Sequence, residues 1–351
     1  MTLRTRDQVE LVDAVIAFHL NAGVDFVLAV DHSSRDGTAE VLERYERDGY
    51  LRLLREEGEA IRLRRTEVAR LAAAEYDADW VIHPDGDEFW WPRGGSWKEI
   101  LALVPPRYGI VRGAWRHFAP RPDAGENFAE RLVVRVSPYA ERTGQEYPFH
   151  PGVKVAHRAH PQADVRKGHE ATVPGLVPLR GWYPFEILHF PLRGLEQARR
   201  KYLDLARGLA AGGLRAPAHV ERAQGEMAGG RWEDAYDELV VDDTALERGL
   251  AAGMLAVDTR LRDALRLLAG CAELPLEPRF LLPEEGASRL TFAPDGVAEE
   301  AAYAHDVQIL QAYESDVRLQ ARIEWLERRL VQLERGTAAG LLRRVVRRRA
   351  R

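Results

Sequence analysis

The chain is poor in the residues that cross-link proteins and in those that carry them through membranes. Among its 351 residues there is one cysteine, Cys271, so an intramolecular disulfide framework and a multi-cysteine metal site are both excluded. A reducing cytoplasm suits that composition, and a cytoplasmic location is expected. No apolar run approaches the ~20 residues needed to span a bilayer, and no signal-peptide pattern opens the sequence. Lysine is nearly missing: it stands only at Lys98, Lys154, Lys167 and Lys201, which leaves 46 of the 50 basic residues as arginine. A surplus of one charge is also missing. The net charge of −5 gives no global nucleic-acid footprint, and no nucleic-acid partner is expected. What remains, 46% apolar and 30% charged residues, is the make-up of a soluble globular protein large enough for one large or two modest domains.

The first ninety residues alternate between two periodicities. QVELVDAVIAFHLNA (8–22) has Val9, Val12, Ile16, His19 and Leu20 at three- and four-residue spacing, an amphipathic helix that Gly23 ends. DFVLAVD is a short apolar run closing on an acid, as in a buried parallel strand. After the polar loop DHSSRDGT, Thr38 can cap a helix that Gly49 stops. LRLLRE is a second strand, residues 61–75 a further helix, and DWVIHPDGDEF a third strand with acids at its end. This β-α-β-α-β order implies a parallel α/β sheet. Ligands of such sheets sit at the carboxyl ends of the strands, where Asp31 and Asp85 both fall. Only MTLRTR precedes the first helix. Either the opening strand is short, or the natural chain begins upstream of Met1.

The stretch VIHPDGDEFW crowds Asp85, Asp87 and Glu88 between apolar residues and an aromatic cluster. Carboxylates at this spacing repel and are costly to bury without a positive partner. Hard divalent cations such as Mg²⁺ and Mn²⁺ prefer such oxygen ligands and leave other positions to water and phosphate. Gly86 would let the backbone turn so that both aspartates reach one ion. The competing reading is a solvated Asp-Gly turn.

The combination of HLNAGVDFVLAVD, DHSSRDGT and, some fifty residues on, ADWVIHPDGDEFWW resembles the GT-A fold glycosyltransferases. It is similar to the family-2-like bacterial members with motifs near "DNGSTDGT" and "DWVLFLDADEF". The resemblance covers residues 3–91 and extends more thinly to 201. It implies a Rossmann-like α/β mixed sheet, a nucleotide-diphospho-sugar donor, and a divalent metal, Mn²⁺ or Mg²⁺, on its diphosphate. By position Asp31 would face the nucleoside, with Asp36 near it. Asp85 would lie near the ribose and the metal, and Asp87 would ligate the metal. Glu88 and Phe89 match the family's "EF". RTRDQ sits where the relatives carry "VRNE", which puts Asp7 beside the donor. His189, followed by HFPLRGLEQARRKY, would complete the metal or diphosphate site, with Arg193 and Lys201 on phosphate. Arg62, Arg65 and Thr66 stand where many relatives have Gln and Asn; Arg62 in particular could hold phosphate. The family's "NGST" is His32-Ser33-Ser34-Arg35 here.

An inverting transfer needs a general base for the acceptor hydroxyl. The acids expected to face the acceptor are Asp123, Glu126, Glu130, Glu170 and Glu186, with Glu170 preferred. His169, in the loop KGHEA, is a second histidine for the metal or diphosphate site, or an ordinary polar histidine. Of the aromatics Trp90, Trp91, Trp115 and Phe118, Trp91 and Trp115 are the expected stacking surfaces for an acceptor, a glycan or a small molecule. Three other readings remain: a degenerate domain acting as a scaffold, a nucleotidyltransferase, and a diguanylate-cyclase-like enzyme, whose "GGDEF" is similar to DGDEF.

Short strands fill residues 105–190, residues 194–272 are mostly helical, and 273–297 are punctuated by Pro and Gly. The expected division is 1–193 sheet domain, 194–300 helical extension, 301–335 amphipathic or coiled-coil helix, and 336–351 basic tail. In the third segment Ile309, Ala312, Asp316, Leu319, Ile323, Leu326, Leu330 and Leu333 follow heptad spacing, so 305–335 either packs on the core or pairs two copies as a homodimer. The tail has six arginines in its last nine residues, a solvated end or a weak peripheral contact with an anionic membrane.

Overall fold

The computed structural model describes residues 1–56, 64–138, 151–213, 215–283, 289–293 and 296–349, with side chains at positions 218, 317, 318, 321 and 333–349 left out of the description. The opening strand is present and short: β1 is Thr2–Thr5. It is followed by α1 (Val9–Asn21), β2 (Val27–Asp31), α2 (Thr38–Arg47), β3 (Leu51–Arg55), α3 (Arg65–Glu75) and β4 (Trp80–Val81). β1, β2 and β3 run parallel with β2 in the middle. Every residue of β2 is buried, hence its unbroken apolar run, whereas β3 on the edge alternates inward leucines with outward arginines.

Two glycines close the helices as expected: Gly23 (φ +101°) follows α1 and Gly49 (φ +81°) follows α2. Thr38 does not cap α2. Gly37, left-handed at φ +101°, holds the cap position, and the Thr38 hydroxyl donates to Asp36 instead, at 2.6 Å.

DWVIHPDGDEF is not one strand. β4 is two residues long, and a new strand, β5 (Glu88–Pro92), starts at the last acid. The chain between them still runs beside β1: the Thr2 N–H donates to Ile82 O at 2.9 Å, and Arg4 pairs with Asp85 in a parallel bridge. The acids therefore lie in a break between strands, alongside the carboxyl end of β1.

The rest of the sheet is mixed. After α4 (Trp97–Ala102) come β6 (Tyr108–His117), α5 (Phe128–Arg131), β7 (Val134–Val136), β8 (Val153–Arg158), the hairpin β9 (Asp164–Arg166) and β10 (Glu170–Thr172), β11 (Val177–Pro178) and β12 (Phe185–His189). Across the sheet the order is β4-β8-β6-β12-β5, with β12 parallel to β6 and antiparallel to β5. That register sets His189 opposite both Glu88 and His117.

Five helices and one strand follow: α6 (Leu195–Ala211), α7 (Ala218–Ala228), α8 (Trp232–Asp237), α9 (Asp243–Ala251), β13 (Leu255–Val257) and α10 (Arg260–Ala269). β13 pairs with β7, and Leu261, Leu265 and Leu268 of α10 enter the same core as α1, so these residues return to the sheet body. The last helix, α11 (Val297–Arg349), is longer than the periodicity predicts and continues through Gly336. Tyr303, Val307 and Leu310 bury its first turns against Ala114, Val153 and Tyr183. Among the described residues no helix is long and apolar enough to cross a membrane.

Phe18 on α1 anchors the core, edge-on to Phe89 and Phe292 and stacked on Trp91 at 5.7 Å. His19 beside it is fully buried, and its Nε2 accepts the Trp90 N–H at 3.1 Å. Burial pushes its pKa down to about 3, so it packs as a neutral ring.

Candidate functional site

The carboxyl ends of β1 and β2 present a patch of unsatisfied polarity. Thr5 and Asp31 are register partners, and the His32 N–H donates to Thr5 O at 3.0 Å. Each of the three is buried and each carries an atom without a hydrogen-bond partner among the described residues: Thr5 Oγ1, Asp31 Oδ1 and His32 Nε2. Buried polar atoms are nearly always paired, so three adjacent orphans at a strand edge make it a candidate binding place. The 31–38 loop next to them is tied down. Asp7, left-handed at φ +50°, accepts the Arg35 N–H at 2.7 Å and gives its own N–H to Ser34 Oγ at 3.0 Å. Asp36 accepts from Val9 N and Thr38 N, both at 3.0 Å, joining the starts of α1 and α2.

Gly86 sits against this patch. It does not adopt a left-handed turn; its role is space, because a Cβ there would meet Gln8 Cγ at 3.2 Å and Thr5 Oγ1 at 3.6 Å. The two aspartates on either side of it face different partners. Asp85 pairs with Arg65 and with Lys154, whose Nζ also donates to Glu88 at 2.9 Å. Asp87 accepts from Lys201 Nζ at 2.7 Å and lies 3.7 Å from His189 Nε2. Burial alone would raise both carboxyl pKa values. Arg65 and Lys154 more than offset this for Asp85, as do Lys201 and His189 for Asp87, and both are held below the usual carboxylate range.

Glu88 is the hub beneath the acids. It is fully buried and accepts from Asp85 N, Trp90 Nε1, Trp115 Nε1 and Lys154 Nζ. Trp115 in turn stacks on His189 with ring centroids 5.1 Å apart and meets His169 edge-on at 5.0 Å. His117 is also buried, its Nδ1 2.9 Å from His189 Nδ1, so one ring donates and the other accepts. This leaves Nε2 of His189 as the atom facing Asp87.

The fold thus brings Asp31, Asp85, Asp87, His189, Lys201 and Trp115 to one edge. Arg193 joins them from below, fully buried, with hydrogen bonds to Gln8 Oε1 (3.1 Å) and Glu10 Oε2 (3.4 Å). Arg193 also lines a cavity of about 1280 Å³ between α1, α5 and the start of α6, shared with Arg131, Asp123 and Arg200. Other expected residues stand elsewhere. Trp91 is packed on Phe18 and Phe292, with the Arg260 guanidinium over its ring at 5.3 Å. Glu170 is exposed on the β9–β10 hairpin, 3.9 Å from Arg166. Glu186 is buried among arginines, Glu130 is held by Arg266 and Leu274 N, and Arg62 lies outside the described residues.

Two participants escape the sequence reading, Lys154 and His117. Lysine is rare in this chain, and half of its four lysines touch the acid cluster, so rarity was the available signal for Lys154. Nothing in the sequence distinguishes His117 from any other strand histidine.

For a divalent ion, Asp87 and His189 are a fitting donor pair: a carboxylate oxygen and an imidazole nitrogen already face each other, and sites of this kind draw their remaining ligands from water and phosphate. Asp85 is turned to its cationic partners, and among the described residues no three His, Cys, Asp or Glu groups form a ready-made cage.

No protein-family description and no curated protein sequence matches the chain. Solved structures do align with it. S. aureus TarS 1–349 in complex with UDP aligns at 13% identity over 84% of this chain and 98% of that one, with a TM-score of 0.30. The mannosyltransferase PcManGT from Pyrobaculum calidifontis, in complex with GDP-Man and Mn²⁺, aligns at 16% identity over 75% and 77%, with a TM-score of 0.26. TarS 1–349 with UDP-GlcNAc aligns at 15% identity over only 35% of this chain and 34% of that one, at 0.25. Similarity at this level carries no argument about activity, and the functional reading below rests on the residues of the chain itself.

Proposed function

We propose that the chain is a metal-dependent glycosyltransferase of the GT-A type. It moves a sugar from a nucleotide-diphosphate donor to a hydroxyl of a glycan or small molecule, with inversion. The observation that carries this reading is the trio of orphaned buried atoms on Thr5, Asp31 and His32, at the carboxyl edge of parallel strands and beside Asp85-Gly86-Asp87. A nucleoside supplies both donors and acceptors for such atoms, and that edge is where parallel α/β sheets bind nucleotides.

Asp87 and His189 would hold the divalent ion, which when bound offsets the charge that develops on a departing diphosphate. Asp87 is ionised at neutral pH, since its pKa is depressed, and is ready to bind a cation without first losing a proton. Lys201 reaches the same carboxylate from α6 and is the side chain best placed to move onto a phosphate. Arg65 and Lys154 fix Asp85 for a ribose hydroxyl, and Glu88 fixes Lys154 and Trp115. Glu170 is left out of this scheme because its carboxylate faces Arg166 and solvent.

Calorimetry with uridine and guanosine diphosphates, with and without Mn²⁺, tests the reading. Binding of one of them that requires the metal and is lost in Asp87→Ala is expected. Absence of any nucleotide binding with metal present would sink it, and binding without donor turnover would favour the scaffold reading.

A further inference from the structure

The geometry points to a parallel two-stranded coiled coil between two copies of this chain, formed by α11 from Leu319 onward. The helix carries two apolar stripes. Tyr303, Val307 and Leu310 make the first, and it is spent on the sheet body, reinforced by the Arg116 ion pair to Asp306 at 2.7 Å and the Arg112 ion pair to Glu314 at 3.2 Å. The second begins where those contacts end. Leu319, Ile323, Leu326 and Leu330 repeat at four- and three-residue spacing and are 62%, 48%, 47% and 59% exposed. An isolated helix of mixed polarity gains little from propensity alone, so a stripe of this length needs an apolar partner.

The sequence of the stripe chooses that partner. In the heptad frame Ile323 and Leu330 take positions a, and Leu319 and Leu326 take positions d. Ile323 at a between Leu319 and Leu326 at d suits two strands. The g positions Arg322 and Arg329 flank the e position Glu327. In a parallel pair each g side chain faces the e′ side chain five residues further along the other copy, which sets Arg322 against Glu327 of the second copy. In an antiparallel pair g faces g′ and e faces e′, so arginine meets arginine and Glu327 meets Glu327. A second copy of the same chain, in register, therefore satisfies the apolar stripe and its charged flank at once.

Sedimentation equilibrium of the full chain should give twice the chain mass. Ile323→Asp with Leu330→Asp should return it to monomer without loss of the main thermal transition. Reversing the g charge alone (Arg322→Glu) should weaken the dimer, and adding Glu327→Arg should restore it. In a Cys271→Ser background, Leu326→Cys should form a disulfide-linked dimer on oxidation, because d meets d′ only in a parallel, in-register pair. A monomer at all concentrations would overturn the proposal. So would a dimer that survives the double aspartate change, a dimer without the cysteine cross-link, or a monomer that binds anionic vesicles through α11.

Discussion

Two buried carboxylate networks lie toward opposite ends of the paired strands β5 and β12, and they are built differently. Around Glu186 all the cations are arginines: Arg116 at 2.9 Å, Arg93 and Arg260 at 3.2 Å, with Asp258 and Asp306 closing the far side. Tyr303 of α11 lies under the Arg93 guanidinium at 3.5 Å. Rigid guanidinium forks saturate the acids, and the network holds α10 and α11 to the sheet. Around Asp85 and Asp87 the partners include two of the four lysines of the chain, with two histidines close by and three unpaired polar atoms next door. Lysine is a point charge on a flexible stem that can exchange one anion for another. The two clusters differ in their cations: rigid arginines lock Glu186, whereas Asp85 and Asp87 are held mainly by lysines and a histidine that another anion can displace.

The two clusters should respond differently to substitution. The largest effect is expected for Glu186→Ala, which removes the carboxylate shared by Arg93, Arg116 and Arg260. Stability should fall by about 3–5 kcal/mol, as for other broken buried pairs, with nucleotide affinity of the folded fraction unchanged. Chemical denaturation and calorimetry measure the two. Lys154→Met belongs to both networks in kind: it is fully buried and strands Asp85 and Glu88, so it should lose stability of similar size and weaken donor binding as well. Asp87→Ala should cut donor turnover about 10²–10³-fold, the usual cost of removing one preorganised charge contact, with a smaller change in melting temperature than Glu186→Ala.

A pH titration follows in size. Burial raises the Glu186 pKa, but Arg116 and Arg260 outweigh it and hold the folded-state value well below normal. A depressed folded pKa contributes stability above the unfolded value of about 4.3, and that contribution is lost as pH falls toward the folded value. The melting temperature should therefore hold from pH 7 to near pH 5 and drop in more acid solution, with a shallower drop in Glu186→Gln. The smallest effect is expected for Glu170→Gln: less than about 0.5 kcal/mol on stability, as for other exposed positions, and no change in donor turnover. A large loss of turnover there would restore Glu170 as the base.

The sheet's first half was legible because each element announces itself: α1 by its spacing, β2 by its unbroken apolar run, and the helix ends by Gly23 and Gly49. The acid stretch was legible as a cluster of carboxylates in need of cations but not as a shape. Apolar content marks a strand, yet nothing local says that the ladder stops at Val81 and restarts at Glu88, since that depends on β12 pairing from residue 185 onward. The same non-locality hid Glu186, whose carboxylate reads as an acceptor-side candidate until Arg93, Arg116 and Arg260 converge on it from three separate elements. Trp91, expected as a sugar platform, shows the same non-locality: its ring stacks on Phe18 and lies under the guanidinium of Arg260, from a helix far along the chain.

Whether the strand edge at Thr5, Asp31 and Asp85–Asp87 takes a nucleoside diphosphate together with a divalent ion is decided by titrating the full chain with uridine or guanosine diphosphate in Mn²⁺, and again in chelator. Saturable binding of one nucleotide is expected in Mn²⁺, about tenfold or more weaker in chelator and equally weakened by Asp87→Ala. Binding indifferent to both the metal and Asp87, or no binding at all, would contradict it.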